Sequence, residues 1–411
     1  MGSRLPTLRG WITTEIVAMR QKLALAFPLM PVLLLVVIFT LNFTSRVILS
    51  PLLPLVEREF GLGHGAAGSL FSLVQIGYCA GLLASGFISC RWTYRRTILL
   101  STTSLGLVLL AMSWSTSIAA MRGGLFLLGA AAGLYLPAGI ATITGMVPQK
   151  HWGKALAIHE LAPNLGYVTA PLLAEALLRA VRWRGILAVL GVLAVLMGGC
   201  FLLFGRGGAH RSEPPLLQTT GQLLRYPTLW LAAMLFSMAI GSGLGFYMMM
   251  PLFLVDEIGM GREPANTITG LSRSSGLVAI FIAGMITDRM GHRRALAIFL
   301  TTMGMLTLLM GLVHGRVTIS LLIFLQSAAA ASVFPAGFSL VSVIFPAGLR
   351  SLAVSMVIII GSLIGGGVIP PAIGYLAEAF SFSFGLRLLG LLTLSILPLL
   401  RYGKSSESRE I

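Results

Sequence analysis

The chain has 411 residues, of which 56% are hydrophobic and only 10% charged. Globular domains carry about 25% charged residues, so a soluble enzyme is excluded: there are too few polar side chains to cover a globule in water. The formal charge of +16 does not point to nucleic acid either, because the basic residues are scattered between apolar runs and form no single patch.

A membrane-spanning helix needs about 20 apolar residues. Apolar runs between charged or Gly/Pro-rich breaks predict twelve such helices, at 30–55, 66–89, 97–115, 119–146, 153–178, 184–204, 228–254, 264–287, 295–313, 317–345, 351–378 and 383–400. The longest polar interruption, Arg206 to Pro227, contains Pro214-Pro215 and separates the sixth helix from the seventh. The expected organisation is therefore a segment 1–29, a six-helix bundle 30–205, a linker 206–227, a second six-helix bundle 228–402 and a tail 403–411. Residues 1–28 hold Arg4, Arg9, Arg20 and Lys22 with no small-residue cleavage site after a short apolar core, so no signal peptide is expected.

Charge sets the orientation. Nineteen of the 29 Lys and Arg fall on the side of the two termini and eight on the other, while Arg46 and Arg273 lie inside spans. Positive charge favours the cytoplasmic side during insertion, which predicts cytoplasmic termini and linker in a cytoplasmic (inner) membrane. Cys79, Cys90 and Cys200 are far apart in or beside apolar runs and offer neither a disulfide framework nor a zinc spacing.

The two halves are copies. An offset of 198 carries Gly61-Leu62-Gly63 onto Gly259-Met260-Gly261, Gly86 onto Gly284, Arg95-Arg96 onto Arg293-Arg294, Pro137-Ala138-Gly139 onto Pro335-Ala336-Gly337 and Pro148 onto Pro346. Duplicated six-helix halves that rock about a midplane site are a recurring transporter plan.

The two intramembrane arginines carry the chemistry. Arg46 lies eleven residues before Glu57 and Arg273 ten after Glu263. At 1.5 Å per residue both sit roughly 15 Å below one surface, near the midplane of a ~30 Å core. Burying a cation there costs roughly 2.5–3.5 kcal/mol, so such a residue faces a cavity or a partner. Acidic partners are scarce: among thirteen acids only Glu160 lies clearly inside a span, and it is nearer the cytoplasmic end. Gln75 and Gln326 fall near the same level as the arginines, and Gln75 is the repeat counterpart of Arg273. Helical spacing aligns Asn42 with Arg46, Ser72 and Cys79 with Gln75, and Thr269 and Gly276 with Arg273. Guanidinium forks match the oxygens of carboxylate, nitrate or phosphate, so the expected ligand is a small anion. Asn164, Tyr78 and Tyr247 complete the expected lining, with Tyr135 and Tyr167 as further aromatic candidates. The pair His159-Glu160 is a candidate for proton coupling, competing with a helix-end contact.

Gly284, Asp288, Arg289, Gly291, Arg293 and Arg294, after the eighth helix, resemble the loop motif of the major facilitator superfamily, and the resemblance extends over nearly the whole chain. It implies an all-α membrane protein of twelve transmembrane helices in two pseudo-symmetric bundles, with these residues gating the cytoplasmic side. Its first-half copy has Cys90 and Thr93 where the motif has aspartate and glycine. Arg122, before Gly129, Gly133 and Pro137, is similar to a fourth-helix arginine pattern and is a further gating candidate. Asn42, Arg46, Pro51 and Pro54 resemble the first helix of organic anion:cation symporters, whereas an arginine at the position of Arg273 resembles nitrate and oxalate carriers. Gln75 stands where nitrate carriers have a second arginine. The fifth helix, with Ala162-Pro163-Asn164-Leu165-Gly166, departs from the drug-antiporter pattern.

The resulting expectation is a monomeric secondary transporter of a small, organic anion, working by symport with a proton or by exchange against a counter-anion. Rival readings are a proton-coupled drug or metabolite efflux pump and a non-transporting membrane sensor or assembly protein. No nucleophile-base set, metal spacing or phosphate-binding loop is present in the sequence, so neither catalysis nor a cofactor or metal is expected.

Overall fold

A computed structural model describes residues 29–213, 221–346 and 349–401. Among these residues, twelve helices are long and apolar enough to cross a membrane: α1 (Leu29–Phe60), α2 (His64–Arg91), α3 (Tyr94–Ser113), α4 (Ile118–Met146), α5 (Gln149–Leu178), α6 (Trp183–Phe204), α7 (Pro227–Glu257), α8 (Arg262–Met290), α9 (His292–Met310), α10 (Arg316–Ile344), α11 (Leu352–Ala379) and α12 (Phe382–Leu400). They match the twelve runs expected from the sequence. The expected segment up to residue 28, part of the linker and the tail 403–411 lie outside the described residues.

The helices outrun the apolar stretches at several ends. α1 continues through Glu57, Arg58 and Glu59 to a stop at Gly61, whose φ of 60° is a left-handed conformation that suits glycine. Charged residues thus extend helices beyond the hydrocarbon rather than ending them. α1 is also interrupted at Ile48, with Pro51 and Pro54 just beyond.

Packing within the first half depends on close approach. The Cα of Gly77 in α2 lies so near α4 that a Cβ there would stand 2.0 Å from the Phe126 carbonyl oxygen, and one on Gly129 in α4 would stand 2.1 Å from that of Val74. Small residues allow helix backbones to approach in lipid, where apolar side chains alone provide no drive to associate. Large apolar side chains such as Leu196, Phe281 and Leu321 are exposed, as expected of lipid-facing surfaces.

The halves meet through α1 with α7, α2 with α11 and α5 with α8. Their polar contacts gather toward the end expected to be external. There Glu175, buried, receives Arg262 at 3.0 and 3.2 Å and the Asn266 amide, and Asn266 also donates to the Pro51 carbonyl. Arg179 pairs with Glu263 at 2.7 Å, and Glu378 accepts from the Gly65 N–H at 2.9 Å.

The opposite end carries the loops with the repeated motif. Gly291 has φ 80° between α8 and α9, a backbone region that favours glycine. Asp288, Arg289 and Arg294 are exposed there. The first-half copy does something different. Thr93 caps α3 by accepting from the Arg96 N–H, and the Arg95 guanidinium donates to the Leu202 and Gly205 carbonyls at the end of α6. Arg122 is exposed near the start of α4, at the end expected to be external, away from the α8–α9 loop.

Candidate functional site

Arg46 and Arg273 are both buried, at 6% and 8% exposure, and neither has a carboxylate within ion-pair distance among the described residues. The Arg46 guanidinium donates to Gln75 Oε1 at 3.1 Å and lies 3.4 Å from the ring centre of Tyr78. The Arg273 guanidinium donates to the Gly243 carbonyl at 2.7 Å and lies 4.6 Å from the ring centres of both Tyr167 and Tyr247. The Nε of each arginine is buried without a hydrogen-bond partner. Aromatic faces and a single neutral acceptor hold each cation in place while leaving its charge uncompensated.

One belt of rings joins the two cations. Phe43 lies 5.3 Å from the Arg46 guanidinium and meets Tyr167 edge-on at 4.7 Å; Tyr167 in turn meets Tyr247 edge-on at 4.8 Å. Tyr247 Oη donates to the Tyr167 carbonyl at 2.8 Å, across the boundary between halves. The arginines, Gln75, Tyr78 and Tyr247 are therefore gathered as the sequence suggests. Tyr167, a candidate only by being aromatic, is as close to Arg273 as Tyr247 is. Phe43 is not among the residues the sequence singles out; its position three residues before Arg46, on the same helix face, is the signal that could find it.

The α7 backbone explains the Arg273 contact. Gly241–Gly245 forms a wide π-helical turn, and the Ser242 and Gly243 carbonyls accept from Gln326 Nε2 and Arg273, both at 2.7 Å. Wide turns of this kind occur mostly as single insertions at functional sites. A second wide turn, Leu363–Val368 in α11, lies against the polar stripe of α2. There Gln75 Nε2 donates to the Ser362 carbonyl at 3.3 Å, Ser72 to that of Gly367, and the Cys79 thiol to that of Ile359. Gln75 thus uses one end of its amide to orient Arg46 and the other to join the halves.

The two anchors are related by the internal repeat with the roles exchanged. In the first half an arginine on α1 reaches a neutral acceptor on α2; in the second an arginine on α8 reaches a neutral acceptor on α7.

The remaining candidates divide. Asn42 donates to the Ala132 carbonyl at 3.2 Å with its Oδ1 buried and unpartnered, and Gln326 likewise keeps a buried, unpartnered Oε1. Asn164 makes a local bond to the Glu160 carbonyl one turn back. His159 is fully buried, stacked on Phe39 at 4.6 Å between ring centres, with Nε2 3.2 Å from Tyr135 Oη. Tyr135 Oη donates to the Leu35 carbonyl at 2.7 Å, so it accepts from His159 and places the imidazole proton on Nε2. Nδ1 is buried without a hydrogen-bond partner, 3.5 Å from the Glu160 carboxylate.

The chain belongs to the Major Facilitator Superfamily, whose model matches residues 35–276 and 265–410. It is 24% identical over 376 residues to a gallate transporter of Pseudomonas putida, a match covering 78% of this chain and 81% of that one. It is 23% identical over 260 residues to a nitrite extrusion protein of Bacillus subtilis (strain 168), covering 62% and 64% of the two chains, less than two thirds of either. The fold matches the crystal structure of a D-xylose-proton symporter with a TM-score of 0.78 at 16% identity, over 92% of this chain and all of that one. The protein is thus a multi-pass membrane transporter and not an enzyme.

Proposed function

We propose that the protein is a secondary transporter of a small organic anion, with Arg46 and Arg273 as the groups that bind it. The observation that carries this reading is the pair of buried guanidiniums, one from each half, with no acid among the described residues within ion-pair distance of either. A carboxylate would take the free guanidinium edges in charge-assisted bonds, while the ring belt of Tyr78, Phe43, Tyr167 and Tyr247 would accept an apolar or aromatic body. The gallate relative, named for an aromatic carboxylate, supports the same class.

On this reading the present conformation is closed externally, and the anion enters or leaves from the cytoplasmic end. Both termini are cytoplasmic, and the membrane is the inner one. The α8–α9 loop, with Gly284, Asp288, Arg289, Gly291, Arg293 and Arg294, acts when that cytoplasmic end closes. His159 is the proton-coupling residue, supported by its buried, unpartnered Nδ1 3.5 Å from the Glu160 carboxylate.

The test is uptake of labelled aliphatic and aromatic carboxylates into proteoliposomes by the unmodified protein and by Arg46→Ala and Arg273→Ala. Saturable uptake lost in both variants is expected. Equal uptake by all three proteins rejects the anion reading, and substrate binding without counterflow would identify a sensor instead.

A further inference from the structure

The seven acids near the expected external end have assigned partners with one exception. Glu59 is held by Trp183 and Arg184, Glu175 by Arg262 and Asn266, Glu263 by Arg179, Glu378 by the Gly65 N–H, and Glu257 by the N–H groups of Phe382 and Ser383. Glu57 is held by His64, with Oε1 2.6 Å from Nδ1. Asp256 alone has neither a hydrogen bond nor an ion pair among the described residues, yet its carboxylate lies beside that pair: one ligand atom each from Glu57, His64 and Asp256 fall within 4.8 Å of one another. The first two belong to α1 and α2, the third to α7, so the cluster straddles the two halves.

We propose that Glu57, His64 and Asp256 form a binding site for a divalent transition cation of the zinc class, which fastens the external end shut. Two carboxylates and one imidazole are the three-ligand set such an ion accepts, with water in the fourth position. Bonds of about 2.0–2.2 Å to a shared ion place ligand atoms roughly 3.4 Å apart, so His64 Nδ1 and Glu57 Oε1, now 2.6 Å apart, must part slightly while the carboxylate of Asp256 draws in, by side-chain rotation at the partly exposed His64 and the exposed Asp256. Charge favours the ion: two adjacent carboxylates from opposite halves repel unless a cation lies between them. A protonated imidazole balances only one, whereas a divalent ion balances both and leaves the imidazole neutral, as a ligand must be.

The surroundings are already ordered for such an ion. Glu378 ties down the start of α2 at Gly65, the His64 ring packs against Phe382 at 5.0 Å, and Glu257 fixes the backbone of Phe382 and Ser383. A cavity of about 550 Å³ lined by His64, Asp256, His314 and Arg387 gives the ion a path of entry. Arg387 on that lining donates its Nε to the Ser383 carbonyl at 3.3 Å. The ligands come from opposite sides of the junction that must part for the external end to open, so a bound ion holds the transporter in the conformation described here. The site does not depend on what the central arginines carry.

Calorimetric titration of zinc chloride into the purified full-length protein, with magnesium chloride as control, tests the site together with hydrogen exchange across residues 54–66 and 252–260. One saturable zinc site per chain is expected, weakened at least tenfold in both His64→Ala and Asp256→Asn, with exchange in the two segments slowed by zinc only in the unmodified protein. Asp256→Asn removes no hydrogen bond or ion pair and relieves the repulsion from Glu57, so its metal-free melting temperature should be no lower than the original's, which keeps the comparison interpretable. Absence of saturable zinc binding, or zinc binding retained in Asp256→Asn, overturns the proposal.

Discussion

Arg273→Lys keeps the positive charge at the centre of the protein and removes the planar fork, which makes it a sharper test of anion recognition than alanine. In the structure one terminal nitrogen of Arg273 is committed to the Gly243 carbonyl, and the buried Nε is unpartnered. An anion therefore meets an edge offering two parallel N–H groups. A lysine ammonium holding the same carbonyl presents one donor in that direction, losing one charge-assisted bond of about 1.5–3 kcal/mol. It also gives up the flat contact with Tyr167 and Tyr247, worth about 0.5–1 kcal/mol or more for each ring. A total near 3 kcal/mol corresponds to roughly a hundredfold weaker apparent affinity at about 1.4 kcal/mol per decade. Arg273→Gln removes both charged bonds, about 3–6 kcal/mol, and should weaken affinity by roughly two to four decades. Half-saturation of labelled carboxylate counterflow in proteoliposomes measures both, with thermal unfolding as the check that each variant is folded. A folded Arg273→Lys with unaltered half-saturation would refute the view that the guanidinium edge binds the substrate.

Other consequences follow from particular contacts. Gly77→Ala forces a Cβ against the Phe126 carbonyl and should lower the melting temperature in detergent, with a cost of about 1–3 kcal/mol; Gly123→Ala, where nothing lies within 4 Å, should leave it unchanged. His159→Gln removes the unpartnered Nδ1 and, if the proposed coupling role holds, should abolish uptake driven by a pH gradient while sparing counterflow, which needs no net proton movement; loss of both would reduce His159 to a packing role. Glu175→Gln weakens the Arg262 and Asn266 contacts across the halves, so hydrogen exchange over residues 262–270 should quicken; no change would show that these contacts do not hold the halves together at that end.

Most of the architecture was legible because it follows from one strong physical constraint. Backbone polar groups in lipid must be satisfied within a helix, so apolar length alone locates the spans. The level of Arg46 and Arg273 was legible for a similar reason, since rise per residue converts sequence distance to depth. Partnership was not. Nothing in the spacing says that Gln75 faces Arg46 with one end of its amide and Ser362 with the other, because α2 and α11 meet only in the folded chain. The Gly243 carbonyl was equally hidden. Gly241-Ser242-Gly243-Leu244-Gly245 in the middle of an apolar span is a run of weak helix formers, but weakness alone does not specify a wide turn. The Glu57, His64 and Asp256 cluster escaped for the same reason: Glu57 and His64 are seven residues apart, but Asp256 is distant in sequence and is brought to them only by the fold.

The exchange of roles between the repeats bears on how an anion could drive alternation. Arg46 belongs to one half and Arg273 to the other, so in the empty protein two uncompensated positive charges oppose close approach of the halves at the midplane. Repulsion of this kind is strong where water is scarce. An anion bound by both guanidiniums reverses the sign of that interaction and draws the halves together, so the loaded carrier passes more readily through the occluded state than the empty one. The proposed mechanism therefore favours counterflow over net efflux at equal internal substrate. Comparing counterflow with net efflux in Arg46→Gln, which leaves one cation at the midplane, isolates the effect: their rates should converge even as affinity falls. Persistence of the original ratio would show that opposed charge between the halves does not govern the return step.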